Sequence, residues 1–353
     1  MARRARRWDV TPGLACRLGN PTRGGRLGSL MADSSSRPGA PCTGSAQPRR
    51  PNLCHWVQFA AAASLLKFLG WLPHRLARAL GAVLATLSYW FWPRLRGVGL
   101  SNLRVAFPEW SERRRRQVVF GVFRNFGRVL ADFAHFPSWN RENIERLIIY
   151  DGFENYACAR DQGKGVLFLT AHFGNWELGS FAHGVYGYPC NFIVRELDNP
   201  WLDAFINRYR CLSGGRAIEK RDAAREVLRA FQRREAVGIL ADQNTLAAEG
   251  VFVDFFGRLA CTTTAPARLA RKTAVPVVLG LVIWDAQMRK YRLRFDPVAW
   301  ITREDPEEEI AANTANFTRL IEDYIRRHPD QWLWVHRRWK TRPQGEPPFY
   351  PSW

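Results

Sequence analysis

Thr170-Ala171-His172-Phe173-Gly174-Asn175-Trp176-Glu177-Leu178-Gly179 is the stretch that decides how this chain is read. Just before it, Gly165-Val166-Leu167-Phe168-Leu169 is a short apolar run bounded by Lys164, the pattern of a buried strand, and after it the spacing turns helical. His172 is therefore expected in the turn leaving a strand, and Glu177 in the first turn of the next helix. Such a turn lies at the rim of a parallel sheet, where open α/β folds keep their ligands. An imidazole steered by a carboxylate is a general base suited to a hydroxyl group.

Outward from this stretch the chain alternates. Asn191 to Val194 reads as a strand, Pro200 to Arg210 as a helix, Arg221 to Arg233 as another, and Ala236 to Ala241 as a strand ending at Asp242-Gln243. Val275 to Trp284 and Lys290 to Phe295 read as a late strand pair, followed by a long helix from Pro306 to Arg327. Alternation of this kind from residue 147 onward predicts an α/β fold with a mostly parallel central sheet flanked by helices. Between Arg94 and Phe136 the spacing is helical, with a helix beginning at Ser111-Glu112 and Arg113 to Arg116 as a solvated or lipid-facing basic turn.

Two apolar stretches precede this region, Trp56 to Leu72 and Leu76 to Trp92, the second ending in Tyr89-Trp90-Phe91-Trp92. Each is about 26 Å long as a helix, slightly short of a hydrocarbon core of about 30 Å, so a spanning helix, an interfacial pair and a re-entrant pair all remain open. A buried hairpin of a soluble protein is the alternative. The expected organisation is a disordered Arg/Gly/Pro/Ser-rich tail over 1–52, membrane-anchoring helices over 53–93, a catalytic domain over 94–343 and a C-terminal tail over 344–353. Met31 is a second candidate start.

With 353 residues, 46% of them hydrophobic, the chain can bury a sizeable core. Its net charge is +20. Ten arginines against Asp9 and Asp33 give the first fifty residues +8, which leaves +12 on the remainder. An anionic partner is implied, and a membrane surface or an acidic carrier protein fits better than nucleic acid, for which no binding motif is present. The seven cysteines are scattered singly, without ligand spacing; a reduced compartment, no metal and no cofactor are expected.

Six blocks in order, His172-Phe-Gly-Asn-Trp-Glu177, Arg195-Glu-Leu-Asp-Asn-Pro200, Ala241-Asp242-Gln243, Gly250 to Gly257, Thr262 to Thr264 and His328 to Lys340, resemble the bacterial lipid A biosynthesis lauroyl/myristoyl acyltransferases, within the HxxxxE lysophospholipid-acyltransferase-like superfamily. The resemblance covers about residues 53 to 343. It implies a glycerolipid-acyltransferase-like fold with an N-terminal hydrophobic anchor. It also implies transfer of an acyl chain from an acyl-carrier-protein thioester to a glycolipid hydroxyl at the cytoplasmic face of the inner membrane. Two departures stand out: Glu196 where many members have proline, and a first fifty residues without family counterpart.

In this reading His172 is the general base, and Glu177 orients its ring and stabilises the imidazolium. Gly174 and the helix start at Asn175 offer backbone N–H groups to an oxyanion or a phosphate. Arg210 holds a phosphate or developing charge. Asp242 faces the same crevice or caps a turn, and Arg195 faces it or forms a surface ion pair with Glu196 or Asp198. Thr262 to Thr264 read as a helix N-cap, His336 with Arg337 and Arg338 as a grip on a headgroup or carrier, or simply a basic surface. The aromatics at 252–256 and 332–334 line an acyl pocket or pack in the core. The competing expectations are an acyltransferase acting on another glycolipid or an aminolipid, with acyl-CoA as donor, and a non-catalytic basic membrane-binding protein.

Overall fold

The computed structural model describes residues 52–351. The tail expected over 1–52 and the candidate start at Met31 therefore lie outside the described residues, apart from Asn52, whose side chain caps the first helix by accepting from His55 N–H at 2.8 Å. The chain opens with four helices, α1 (Leu53–Trp71), α2 (His74–Phe91), α3 (Pro93–Ala106) and α4 (Glu112–Ala134). Pro73 and Pro93 punctuate the first three. Ser111 caps α4 through a 3.3 Å bond from Arg114 N–H, as its position before Glu112 leads one to expect.

From residue 148 the alternation sets in: β1 (Ile148–Asp151), α5 (Phe153–Arg160), β2 (Val166–Thr170), α6 (Trp176–Val185), β3 (Cys190–Val194), α7 (Pro200–Arg210), β4 (Ala217–Glu219), α8 (Ala223–Gln232) and β5 (Ala236–Leu240). An antiparallel hairpin, β6 (Gly250–Phe255) and β7 (Arg258–Thr263), interrupts it before α9 (Ala265–Thr273), β8 (Val277–Asp285), β9 (Lys290–Pro297) and α10 (Pro306–Arg327). Seven strands form one sheet in the order β1-β9-β8-β2-β5-β3-β4. β8, β2, β5, β3 and β4 are mutually parallel; β9 runs antiparallel to β8 and parallel to β1.

β2 is apolar from Val166 to Leu169 because both of its faces are covered there. Leu167 and Leu169 face a core shared with Val227 of α8, Ala267 of α9 and Phe317 of α10, while Val166 and Phe168 face a second core with Tyr156 of α5 and Leu178 and Phe181 of α6. α1 and α2 are not a detached anchor: Leu66, Leu69 and Ala77 are buried in the second core, and Ala85 and Tyr89 in the first. Their close approach depends on glycine. A Cβ on Gly81 would lie 2.3 Å from the Gly127 carbonyl oxygen, and one on Gly70 2.7 Å from that of Ala134.

The C-terminal segment is also packed rather than loose. Tyr350, within the segment expected as a tail, is buried, and its hydroxyl donates to Asn102 Oδ1 at 2.6 Å. Among Arg113 to Arg116, three side chains are exposed, but Arg115 is buried and donates to the carbonyls of Phe107 and Pro108 at 2.9 and 2.6 Å.

One charged cluster ties the N-terminal helices to the sheet. The fully buried Asp132 of α4 meets His74 Nε2 at 2.7 Å and accepts from Arg78 of α2 at 2.8 and 3.1 Å, Tyr291 O–H at 2.8 Å and Asn175 Nδ2 at 3.2 Å. Burial pushes this carboxyl up, but the hydrogen bond and charge of His74 and Arg78 outweigh burial and hold it below the usual carboxylate range. A depressed folded-state value contributes stability above the unfolded value of about 4, lost as pH falls through the folded value. Asp132→Ala leaves Arg78 without its counter-charge and is expected to cost about 3–5 kcal/mol, read by chemical unfolding in detergent. A change below about 1 kcal/mol, the range of an exposed pair, would show that the cluster is not a tie.

Candidate active site

β2 and β5 pair in parallel with Thr170 opposite Leu240. Two residues further along each strand stand His172 and Asp242, so sheet register alone brings them together. Asp242 Oδ1 lies 2.9 Å from His172 Nδ1, and Asp242 Oδ2 accepts from the backbone N–H of His172 at 2.9 Å and from the indole N–H of Trp332 at 2.7 Å. With Asp242 ionised, Nδ1 carries the proton and Nε2 is left as acceptor; Gln243 Nε2 sits 3.3 Å from it. Burial raises the Asp242 carboxyl, but the charge and hydrogen bonds of His172, with the Trp332 indole, prevail and hold it below the usual carboxylate range.

The turn carrying His172 is clamped from the C-terminal side. Leu333 N–H donates to the His172 carbonyl at 3.2 Å, and Gly174 N–H to that of Gln331 at 2.8 Å. Gly174 adopts φ +57°, and its carbonyl accepts from Asn125 Nδ2 at 2.7 Å. Asn175 is buried: its N–H donates to Val282 O at 3.4 Å, its Oδ1 caps α6 through Leu178 N–H at 3.2 Å, and its Nδ2 reaches Asp132. The N–H groups of Gly174 and Asn175, expected to face an oxyanion or phosphate, are thus committed inside the protein, because the turn must bond to β8 and to residues 331–333 to be held at all.

Glu177 also takes a different place from the one expected. Its carboxylate accepts a forked pair from Arg210, at 2.6 Å from Nη2 and 2.8 Å from Nε, linking the first turn of α6 to the last turn of α7. The carboxylate on the imidazole is Asp242. Arg195 lies exposed just beyond β3.

His172, Glu177, Arg195 and Arg210 surround one end of a cavity of about 230 Å³ running between α6 and the sheet. Phe168, Phe192, Leu240, Val282 and Phe295 supply apolar lining. Gly238 and Gly280, each in mid-strand, widen the floor; a Cβ on Gly238 would meet nothing nearer than Cys190 Sγ at 3.7 Å. The sequence offered a sign of this cavity in those two glycines, since glycine weakens a strand interior and often marks close approach of a ligand. The aromatics at 252–256 and 332–334 are elsewhere: Phe255, Phe256, Trp332 and Trp334 are buried in the core.

Arg338, expected to grip a headgroup or carrier or to lie on a basic surface, is fully buried and donates to Cys261 O at 2.8 Å and Thr262 Oγ1 at 2.5 Å; burial drives its guanidinium down to about 10. His336 Nε2 accepts from Asn244 N–H at 3.1 Å, and burial lowers the imidazole to about 4, so it is neutral at pH 7. Both brace the segment after β5 rather than grip a ligand. Thr264 occupies the N-cap position of α9, but the side-chain bond comes from Thr263 Oγ1, which accepts Ala265 N–H at 3.3 Å. Among the described residues no three His, Cys, Asp or Glu side chains converge as metal ligands.

A geometry of imidazole, buried carboxylate and apolar cavity suits proton removal from a hydroxyl beside a fatty chain. Residues 45–341 match the profile of a family described as bacterial lipid A biosynthesis acyltransferase. The chain is 29% identical over 280 residues to the lipid A biosynthesis lauroyltransferase of Escherichia coli K12, and 28% over 280 residues to the palmitoleoyltransferase of the same organism, each alignment covering 79% of this chain and 90% of the relative. The lipid A biosynthesis myristoyltransferase of that organism is 25% identical over 247 residues, 70% of this chain and 76% of the relative.

Proposed function

The chain belongs to the bacterial lipid A biosynthesis acyltransferase family and is an acyltransferase; from that premise we propose that it moves a fatty acyl group from an acyl-carrier-protein thioester to a hydroxyl of a lipid A precursor, with His172 as general base. His172 Nε2 takes the hydroxyl proton as the oxygen attacks the thioester carbonyl carbon, whose π electrons move to oxygen. Collapse of the tetrahedral species breaks the C–S bond, and the sulfur leaves with the electron pair and receives the proton from His172. An ester and a free thiol result, with no covalent enzyme intermediate. Asp242 fixes the tautomer and stabilises the imidazolium, the service a buried aspartate gives histidine in hydrolases. The acyl chain lies in the cavity under α6, and Arg195 and Arg210 receive phosphate or carrier groups at its mouth; Glu177 acts by holding Arg210.

α1 is long and apolar enough to cross a membrane. It is nonetheless bonded to the catalytic body near both ends, through His55 O to Asn199 Nδ2 at 2.7 Å and Leu72 O to His135 Nε2 at 2.9 Å. Its outward residues Leu53 and Trp71 are 76% and 79% exposed, and Trp90 and Phe91 of α2 are 65% and 76% exposed. Apolar surface of this extent supports a membrane contact, which in this reading is the cytoplasmic face of the inner membrane.

The observation that carries this reading is the His172–Asp242 pair at one end of an apolar cavity. Its test is transfer of a labelled acyl chain from acyl-carrier protein to a lipid A precursor in mixed micelles, with mass spectrometry of the product and His172→Ala as blank. Label in the precursor with the wild type alone supports it; transfer from acyl-CoA only would replace the donor, and equal transfer by His172→Ala would overturn the mechanism.

A further inference from the structure

Acyl transfer needs a hydrogen-bond donor for the carbonyl oxygen as it takes on charge, and the N–H groups of His172, Gly174 and Asn175 do not supply it. Gly174 and Asn175 N–H are bonded to Gln331 and Val282, His172 N–H to Asp242, and Trp332 Nε1–H to Asp242. Asn175 Nδ2 is turned to Asp132, and Arg210 is forked onto Glu177. At the reacting nitrogen itself stands the amide of Gln243, with Nε2 3.3 Å from His172 Nε2.

We propose that Gln243 is a catalytic residue of this site, whose side-chain amide donates to the thioester carbonyl oxygen in the transition state. The inference rests on the reading of His172 as base. In the free protein one amide N–H points at His172 Nε2, the place the acceptor hydroxyl must occupy. When the hydroxyl arrives, that N–H is released within about one hydrogen-bond length of the attacked carbonyl, and the amide carries a second N–H besides.

Fixed donors are worth more than mobile ones, because they need no reorganisation as charge develops. The backbone that carries Gln243 is held on both sides. The residue before it is anchored by the Asp242 carboxylate on Trp332 and His172. The residue after it is held by Asn244 N–H on His336 and by a paired bond with Thr341, Asn244 Nδ2 to Oγ1 at 3.0 Å and Thr341 N–H to Oδ1 at 2.9 Å. Buried Arg338 braces the adjoining strand through Cys261 O and Thr262 Oγ1, with its Nη1 3.5 Å from Gln243 O. Arg195, by contrast, is exposed and long, suited to a charged group but not to a fixed oxyanion contact.

The test is steady-state kinetics of Gln243→Ala and of the near-isosteric Gln243→Glu in mixed micelles. Loss of one oxyanion donor is expected to lower kcat about 10²-fold while KM for donor and acceptor stays within about threefold. Gln243→Glu, ionised, cannot donate and is expected to lose as much. Two results would overturn the assignment: kcat within a few-fold of wild type in either folded variant, or a loss confined to KM, which would make Gln243 a ground-state contact. These outcomes are separate from failure of the base itself, since an active His172→Ala removes the proposed mechanism whatever Gln243 does.

Discussion

Asp242→Asn is expected to give a folded, micelle-bound protein whose kcat is about 10³- to 10⁴-fold lower, close to the loss for His172→Ala. The volume of the side chain is kept, but an amide nitrogen facing Nδ1 donates where the carboxylate accepts. The ring then settles with its proton on Nε2, and a protonated Nε2 takes no proton from an acceptor hydroxyl. The bonds from His172 N–H and the Trp332 indole can still reach the remaining carbonyl oxygen, so the turn stays in place and the loss is chemical. Circular dichroism and chromatographic elution verify the fold, and single-turnover transfer reads the rate. An Asp242→Asn protein within tenfold of wild type would show that this carboxylate does not govern the tautomer.

Glu177→Ala is also expected to lose activity, by another route. It strips Arg210 of its fork, so Arg210→Ala added to it should cost little more, whereas Glu177→Ala and Asp242→Asn, acting on separate groups, should multiply. A cycle in which Glu177 and Asp242 behave as one unit would return Glu177 to the imidazole.

How much of this was legible in the sequence follows from the range of each interaction. His172 at a strand end is visible because a five-residue apolar run followed by helical spacing is a local signal, and the ends of α7 and α10 fall at the residues expected. The partner of His172 is not the nearby carboxylate, because five residues of separation suggest a proximity that the helix start does not deliver. Glu177 turns toward α7, and the true neighbour is seventy residues on, brought in by the β2–β5 register. Once β2 and β5 are taken as adjacent parallel strands, Asp242 is opposite His172 by counting; adjacency is what one sequence does not state. The Gly250 to Gly257 block does not announce itself as the β6–β7 hairpin. Its turn places Phe256 at φ +56°, a conformation that bulky residues rarely take, beside Gly257 at +74°. The buried state of Arg338 is likewise hidden in a run of basic residues, since Cys261 O and Thr262 Oγ1, which accept from it, come from the adjoining hairpin.

Gly174→Ala is expected to abolish the native fold, at a cost beyond about 4–5 kcal/mol, the upper end for single substitutions. Backbone conformation alone accounts for about 1–2 kcal/mol, since alanine at φ +57° meets its own carbonyl. The larger part is collision. A Cβ at this position would lie 1.6 Å from the Val282 carbonyl oxygen and 2.8 Å from its carbon, inside the central sheet where β8 cannot retreat without opening its bonds to β2 and β9. Moving the turn instead would break the Asn125 and Gln331 bonds and draw His172 away from Asp242. Gly238→Ala is the control, because its new methyl enters the cavity with Cys190 Sγ 3.7 Å away and should change stability by less than about 1 kcal/mol. Recovery of soluble protein, protease resistance and the unfolding midpoint read both. If Gly174→Ala melts like wild type, the turn is not wedged against β8, and His172 would then owe its position to Asp242 and Leu333.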